Sequence, residues 1–429
     1  MRLTPRPGPG EGEGPCPPGR QAEPLATPGV SAGHSAGRHL APRSTVEAAA
    51  KALATGSAAQ PAVTLPDGIW DGPSPERRPL DLIYVLPHHY VTGGVKILHE
   101  HVRRLRARGH RVRVAYRGNA TRALPPWSDV EADGEIVNPP RQPLGPRLGG
   151  ADAVVVGWYQ QLRECAAASS PLVYFEQGHE VLYEDVPGTP EGRARVAEFE
   201  RTLRMPVPVA AVSHHVARVL QSRFGRRAGV WPNGIDIVRF RPDGHAPGRR
   251  VLLVGNPLLP FKGFATALHA LELAWRAAPG FEVTWASQEP VQVSGNPFPL
   301  ANVVAPPQEE LPAIYRSHDL LLFTSRYESF PLPPIEAMAS GVPVVATQCG
   351  GIATYATSGH DAVLCPVGDV ASLARAVVRL LGDPAARRLL SARGRATAER
   401  FTWDRALDSV EDTLLRVAAR RPLTKEEAR

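Results

Sequence analysis

Cysteine is scarce in this 429-residue chain: Cys16, Cys165, Cys349 and Cys365 stand far apart, with no C-x-x-C pair. That spacing excludes a disulfide framework and a zinc ribbon, and it makes a reducing, cytoplasmic compartment the default. Long apolar runs are missing as well. Nothing approaches the roughly 20 residues a membrane helix needs, and the N-terminus shows no charged-then-apolar leader. Lysine is the rarest charged residue: of 49 basic side chains only Lys51, Lys96, Lys262 and Lys425 are not arginine. A lysine kept inside a structured segment of such a chain marks a place that suits a compact ammonium better than a planar fork. The formal charge is +7, yet no dense basic run occurs, and the arginines are interleaved with Asp and Glu along helices. That pattern argues against nucleic acid as a partner. A modest positive field suits an anionic diphosphate or an anionic membrane surface, so peripheral contact with the inner face of a membrane stays open.

Several signatures are absent too. The loop after the first apolar run reads PHHYVTGGVK, so no G-x-G-x-x-G dinucleotide fingerprint follows it. There is no Walker A sequence, no D-x-D at a strand end to hold a metal for glycosyl transfer, and no G-x-S-x-G elbow in the strand-and-helix region after Leu80. Up to Gly68 the chain has no Phe, Tyr, Trp or Ile while Pro, Gly and Ala are dense. Such a stretch buries too little apolar surface to offset its ordering entropy, so residues 1–78 are expected to be a disordered tail.

From Leu80 onward, strand and helix patterns alternate. Leu82–Leu86 (LIYVL) is a buried-strand run, followed by Gly93-Gly94 and an amphipathic stretch from Val95 to Arg108. Further strands are expected at Ala153–Trp158, Leu172–Phe175 and Val207–Val212, with Ser213 capping a helix through Phe224. A second block begins at Arg250, with a strand at Val251–Val254, a helix over Phe261–Ala277 and further strands and helices to Phe401. Alternation of this kind gives βαβ units and parallel sheets. The expected division is an N-terminal Rossmann-like domain over 79–241 and a second over 246–400. A polar Pro/Gly segment at Pro242–Arg249 serves as the hinge, a final helix spans 401–420, and a short tail covers 421–429.

The chemistry concentrates in DLLLFTSRYESFPLPPIEAMASGVPVVAT, residues 319–347. A buried strand delivers Ser325 and Arg326 to its C-terminal end, where open α/β sheets bind ligands. Glu328 lies in the loop and Glu336 eight residues later in the next helix, which the Pro333-Pro334 pair opens. Backbone N–H groups around Phe330, Pro331 and Leu332, with the positive helix end, would cradle an anion. A carboxylate one turn in could accept from a ribose diol, and the loop carboxylate would face whatever lies beyond the phosphates. Glutamates that only stabilise the helix dipole are the plain alternative.

The Glu-x7-Glu segment YESFPLPPIEAMASGVPVVAT strongly resembles the donor-site signature of family 4 glycosyltransferases. Four more stretches are similar to that family in the same order: TGGVKILHEHVRRLRARGHRV (92–112), WPNGIDIVRFRP (231–242), VLLVGNPLLPFKGF (251–264) and RFTWDRALDSVEDTLLRVA (400–418). The resemblance implies a GT-B fold, an α/β architecture of two facing Rossmann-like doubly wound domains with a C-terminal helix crossing back onto the first. It also implies a retaining transfer of a hexosyl group from an NDP-sugar to a hydroxyl acceptor, with no metal or other cofactor. By the same resemblance Glu328 contacts the transferred sugar, Glu336 the ribose and Lys262 the diphosphate. Gly93 and Gly94 let backbone approach that diphosphate from the opposite domain. His179 falls where the family often carries a functional histidine, with a structural role as the alternative. Two departures stand out: Ser329 and Pro331 occupy positions where relatives often have Gly, and Asn256 stands where they commonly have Arg. The acceptor, whether polysaccharide, glycolipid or secondary metabolite, is left open. A non-catalytic scaffold and another GT-B enzyme, such as a sugar-nucleotide epimerase, are the rival readings.

Overall fold

The computed structural model describes residues 75–244, 248–290, 293, 295–424 and 426–427. Of the expected tail over 1–78 only the last four residues fall within these. There Arg78 pairs with Asp152 at 2.9 Å and Arg77 with Asp408 at 3.2 Å. Cys16, Lys51, Lys425 and part of the expected hinge lie outside the described residues.

The first sheet is built from β1 (Asp81–Leu86), β2 (Arg111–Arg117), β3 (Gly134–Asn138), β4 (Ala153–Val156), β5 (Leu172–Glu176), β6 (Val209–Ala211) and β7 (Gly229–Val230). All neighbours are parallel, in the order β3-β2-β1-β4-β5-β6-β7. Between the strands run α1 (Gly93–Ala107), α2 (Tyr159–Cys165), α3 (Pro190–Leu203) and α4 (His214–Phe224). The continuous apolar runs of β1, β4 and β5 follow from helices covering both faces, since every residue from Leu82 to Leu86 is buried. Thr92 caps α1 by accepting from the Val95 N–H, and Ser213 caps α4 by accepting from Val216. On the buried side of α1, the His101 ring stacks on Phe175 (5.4 Å between centroids) and lies 6.0 Å from both Trp231 and Trp403. Burial holds its pKa down to about 3.

The second sheet contains β8 (Arg250–Val254), β9 (Glu282–Ser287), β10 (Leu300–Val304), β11 (Leu320–Phe323), β12 (Val344–Thr347) and β13 (Val363–Cys365). Its order is β10-β9-β8-β11-β12-β13, again all parallel. Its helices are α5 (Phe264–Ala277), α6 (Leu311–Arg316), α7 (Leu332–Ala339), α8 (Val370–Gly382) and α9 (Pro384–Ala398). A last helix, α10 (Trp403–Ala418), returns to the first sheet's helix α1. Arg108 of α1 bonds the Asp404 carbonyl (2.7 Å), Asp408 and Glu411 (both 2.9 Å), and the Arg104 guanidinium lies 5.1 Å from the Trp403 ring. Two doubly wound α/β units with a helix crossing back are therefore present, as expected.

Several element bounds differ from the sequence reading. The helix expected from Phe261 starts instead at Phe264, after a separate turn at Pro260–Lys262. The break sits at Gly263, whose φ of 69° is left-handed and whose missing side chain leaves room for the Thr324 carbonyl. The strand β3 and the helices α2 and α3 have no counterpart in the sequence reading. β3 has only Asn138 fully buried, and α3 buries little beyond Phe199, Thr202 and Leu203, so neither carries a strong apolar period. No helix among the described residues is long and apolar enough to cross a membrane.

Candidate functional site

In each sheet the strand order reverses direction at one point, between β1 and β4 in the first and between β8 and β11 in the second. Ligands of such sheets bind beyond the carboxyl ends of the strands at that reversal. In the second sheet, the loops at that point are Gly255–Gly263 and Thr324–Phe330, and they hold Asn256, Lys262, Ser325 and Glu328. The left-handed Gly263 lets the two loops touch, and the Arg326 N–H bonds the Phe261 carbonyl at 2.7 Å. Lys262 Nζ consequently reaches Glu328 Oε1 at 2.7 Å, and the buried Ser325 hydroxyl donates to the same oxygen at 2.8 Å. Both side chains of the ion pair are largely buried. Asn256 shares the loop and not the pair: its Oδ1 accepts from the Leu258 N–H at 2.9 Å, a local turn.

Helix α7 begins at Leu332 with Pro331 at its N-cap. Pro331, Pro333 and Pro334 have no N–H, so within this stretch Phe330, Leu332 and Ile335 keep theirs. The helix end is poorer in donors than the expected cradle. Glu336, one turn in, accepts from the Tyr315 hydroxyl at 2.7 Å. Burial raises its pKa, while the Tyr315 bond and the charges of Lys96 and Arg239 pull the other way.

The C-terminal edges of the two sheets meet here. A Cβ on Gly93 would lie 3.9 Å from Leu332 Cδ1, and one on Gly94 would lie 3.4 Å from the Gln177 side chain. Ser329 bridges the domains: its hydroxyl lies 2.7 Å from that of Tyr183, and its carbonyl accepts from Ser213 Oγ at 2.7 Å. Tyr183 stacks on Tyr327 (4.5 Å), which stacks on Phe261 (4.9 Å), and Lys262 Nζ lies 5.0 Å from that last ring. Tyr327 also donates to Asp185 at 2.8 Å. None of these aromatic partners was singled out from sequence, and Tyr183 and Tyr327 meet across the domain boundary.

His179 follows β5 as expected, but its ring is buried among Tyr159 (4.8 Å), Trp158 (6.1 Å) and Phe199 (4.5 Å). Its Nε2 lies 3.2 Å from the buried Glu176 carboxylate. Burial pushes that carboxyl up, yet His179, Tyr174 and the Gly178 N–H together hold it below the usual range. The structure thus pairs Lys262 with Glu328 and sets Gly93 against Leu332, at the start of the helix that carries Glu336. It leaves Asn256 on its own turn and gives His179 a buried partner. Lys96 of α1 reaches across to Gln308 Oε1 at 2.6 Å.

Two parallel-sheet domains meeting at their strand-end loops, with this site between them, give the chain the GT-B fold. Residues 248–383, the stretch that holds the second sheet, match the family model for Glycosyl transferases group 1. D-inositol 3-phosphate glycosyltransferases of Geodermatophilus obscurus and Streptomyces bingchenggensis are 33% and 31% identical over 251 and 254 residues. Each match takes in 52% of this chain, and 55% and 56% of the respective relative. The chain thus spans about half the length of the curated relatives it matches. Among solved structures, sucrose-phosphate synthase from Thermosynechococcus elongatus superposes with a TM-score of 0.63 at 19% identity, covering 76% of this chain and 97% of that one. Anabaena Alr3699/HepE in complex with UDP-glucose gives 0.61 at 20% identity, covering 78% and 99%. At these identities the likeness is one of fold.

Proposed function

We propose that the chain is a retaining, metal-independent glycosyltransferase that moves a hexosyl group from an NDP-sugar to a hydroxyl acceptor. The observation that carries this reading is the Lys262–Glu328 pair at the strand reversal of the second sheet, with Glu336 one turn inside the helix that follows. The first domain, 79–241, takes the acceptor and the second, 246–400, the donor. The diphosphate lies by the start of α7, with Glu336 accepting from the ribose diol and Glu328 meeting the transferred sugar. Gly93 and Gly94 close over the phosphates, and Phe330 and Leu332 offer backbone donors.

In the free protein Glu328 neutralises Lys262; a bound donor gives Lys262 a phosphate oxygen instead. The acceptor oxygen bonds to the anomeric carbon on the face from which the phosphate leaves. The breaking C–O pair goes to the β-phosphate oxygen, and that oxygen takes the acceptor proton. Lys262 meets the charge growing there. Phosphate as the base accords with His179 being turned to Glu176. The UDP-glucose bound by HepE makes UDP-sugars the first donors to test. A cytoplasmic enzyme, touching a membrane only peripherally, is consistent with this chemistry.

The test is a thermal-shift screen of nucleotides and NDP-sugars, followed by turnover with the best donor. A true donor raises the melting temperature by mass action, by about 2.7 kcal/mol of stability at a hundredfold excess over Kd. No shift with any nucleoside diphosphate would overturn the reading. Release of free sugar from the donor without acceptor separates an enzyme from a binding scaffold.

A further inference from the structure

We propose that Lys96, on the first turn of the acceptor domain's helix α1, is a second phosphate-binding cation of the donor site and grips the phosphate next to the ribose. This rests on the donor-site reading above and adds a residue from the opposite domain.

The need for a second cation comes from the donor side. A nucleoside diphosphate brings more than one negative charge into a site that burial has partly stripped of water. The helix end that would normally answer it is weak here, because Pro331, Pro333 and Pro334 remove donors. Asn256 is neutral, and its side-chain oxygen is bonded to Leu258. Lys262 stands beside Glu328 and the end of the aromatic stack, the side assigned to the leaving phosphate and the sugar. Nothing on that loop serves the phosphate nearer Glu336.

Lys96 is placed to do so. It comes two residues after Gly94, and Gly93 lies against Leu332, the first residue of α7. Its ammonium reaches Gln308 at 2.6 Å, beside the Gln308 carbonyl that Arg239 also bonds. The Glu336 carboxylate attracts it electrostatically, while burial lowers its pKa. A partly desolvated ammonium beside the ribose carboxylate is an unusual thing to keep in a chain with four lysines, unless an anion comes to meet it. Held between two glycines and the ribose site, a flexible point charge can turn from Gln308 to a phosphate oxygen without moving the helix. The plain alternative is that Lys96 only ties the domains together through Gln308.

A ladder of uridine, UMP and UDP, titrated calorimetrically into the full chain, separates these roles. Each step adds one phosphate. Lys96→Met keeps the apolar stem and removes the charge; it should bind uridine as the wild type does and lose about 10- to 100-fold in affinity for UMP and UDP alike. Lys262→Met should lose affinity only at the step from UMP to UDP. Lys96→Arg should recover part of the UMP affinity, whereas Gln308→Ala, which removes the tie and keeps the charge, should bind UMP at least as well as wild type. If the wild type favours another base, the same ladder is run with that base. UMP affinity unchanged in Lys96→Met overturns the inference, and so does a loss in Gln308→Ala equal to that in Lys96→Met. A wild-type chain that binds no nucleoside diphosphate overturns the donor-site reading itself, which sets the two failures apart.

Discussion

Lys262 and Asn256 share one loop yet should respond very differently to truncation. Lys262 is held at 2.7 Å from Glu328, at the place where leaving-group charge would grow, and Asn256 is occupied with its own turn. Lys262→Ala should therefore lower kcat by about 10²- to 10³-fold, the loss typical of removing one preorganised donor. Lys262→Arg should also be poor, because a planar fork cannot take the place of a point charge between Glu328 and the Phe261 ring. Asn256→Ala should cost far less, since only the Leu258 N–H loses its partner. Steady-state kinetics on the three variants decide the matter; near-normal turnover in Lys262→Ala with loss in Asn256→Ala would reverse the assignment. Glu328 and Glu336 were singled out from one contiguous stretch and Lys262 from a second stretch 66 positions before Glu328. Lys96 was not, since its partner Gln308 is 212 positions away and only the folded chain brings them together.

Helix α5 depends on the glycine before it. At Gly263 a side chain would meet both a left-handed φ of 69° and the Thr324 carbonyl, whereas at Gly109 φ is 90° but nothing lies within 4 Å. Gly109→Ala should cost about 1 kcal/mol in backbone strain. Gly263→Ala should cost clearly more and should weaken turnover as well, because it displaces the turn that carries Lys262. Melting curves compare the two, and equal losses would mean that close approach to Thr324 is not what fixes this glycine. Helix α1 carries a pH dependence of its own. Burial depresses the folded-state pKa of His101 to about 3, so the unfolded chain takes up the proton first. Stability from this site is full above about pH 6.5 and falls by about 1.4 kcal/mol per pH unit below it, until the folded pKa is reached. His101→Phe should flatten the fall in melting temperature between pH 6.5 and 4.5; an unchanged slope would assign the acid sensitivity elsewhere. The fold was legible where apolar runs are unbroken, as in LIYVL, or where a cap and a period agree, as at Ser213. It was not legible at β3 or α3, whose stability comes from neighbours more than from their own pattern.

Across the whole molecule, the proposed mechanism has the charge on a departing diphosphate answered from both domains by side chains, so catalysis should not depend on a divalent cation. Turnover should persist in excess EDTA; complete loss that added magnesium or manganese restores would overturn the proposed mechanism. The path of the chain has a further result. It leaves the first sheet near Ile235, builds the whole second sheet, and returns at Phe401 and Thr402 to lay α10 against α1. At that crossing the Ile235 N–H bonds the Phe401 carbonyl at 2.7 Å, and Ile235 pairs with Thr402 as a short parallel bridge. The half that carries the second sheet is thus an insertion whose two ends are fastened side by side, like a page held along a single spine. Exchange for the corresponding half of a relative should therefore need joins at only two adjacent points, without leaving either end of the host domain stranded.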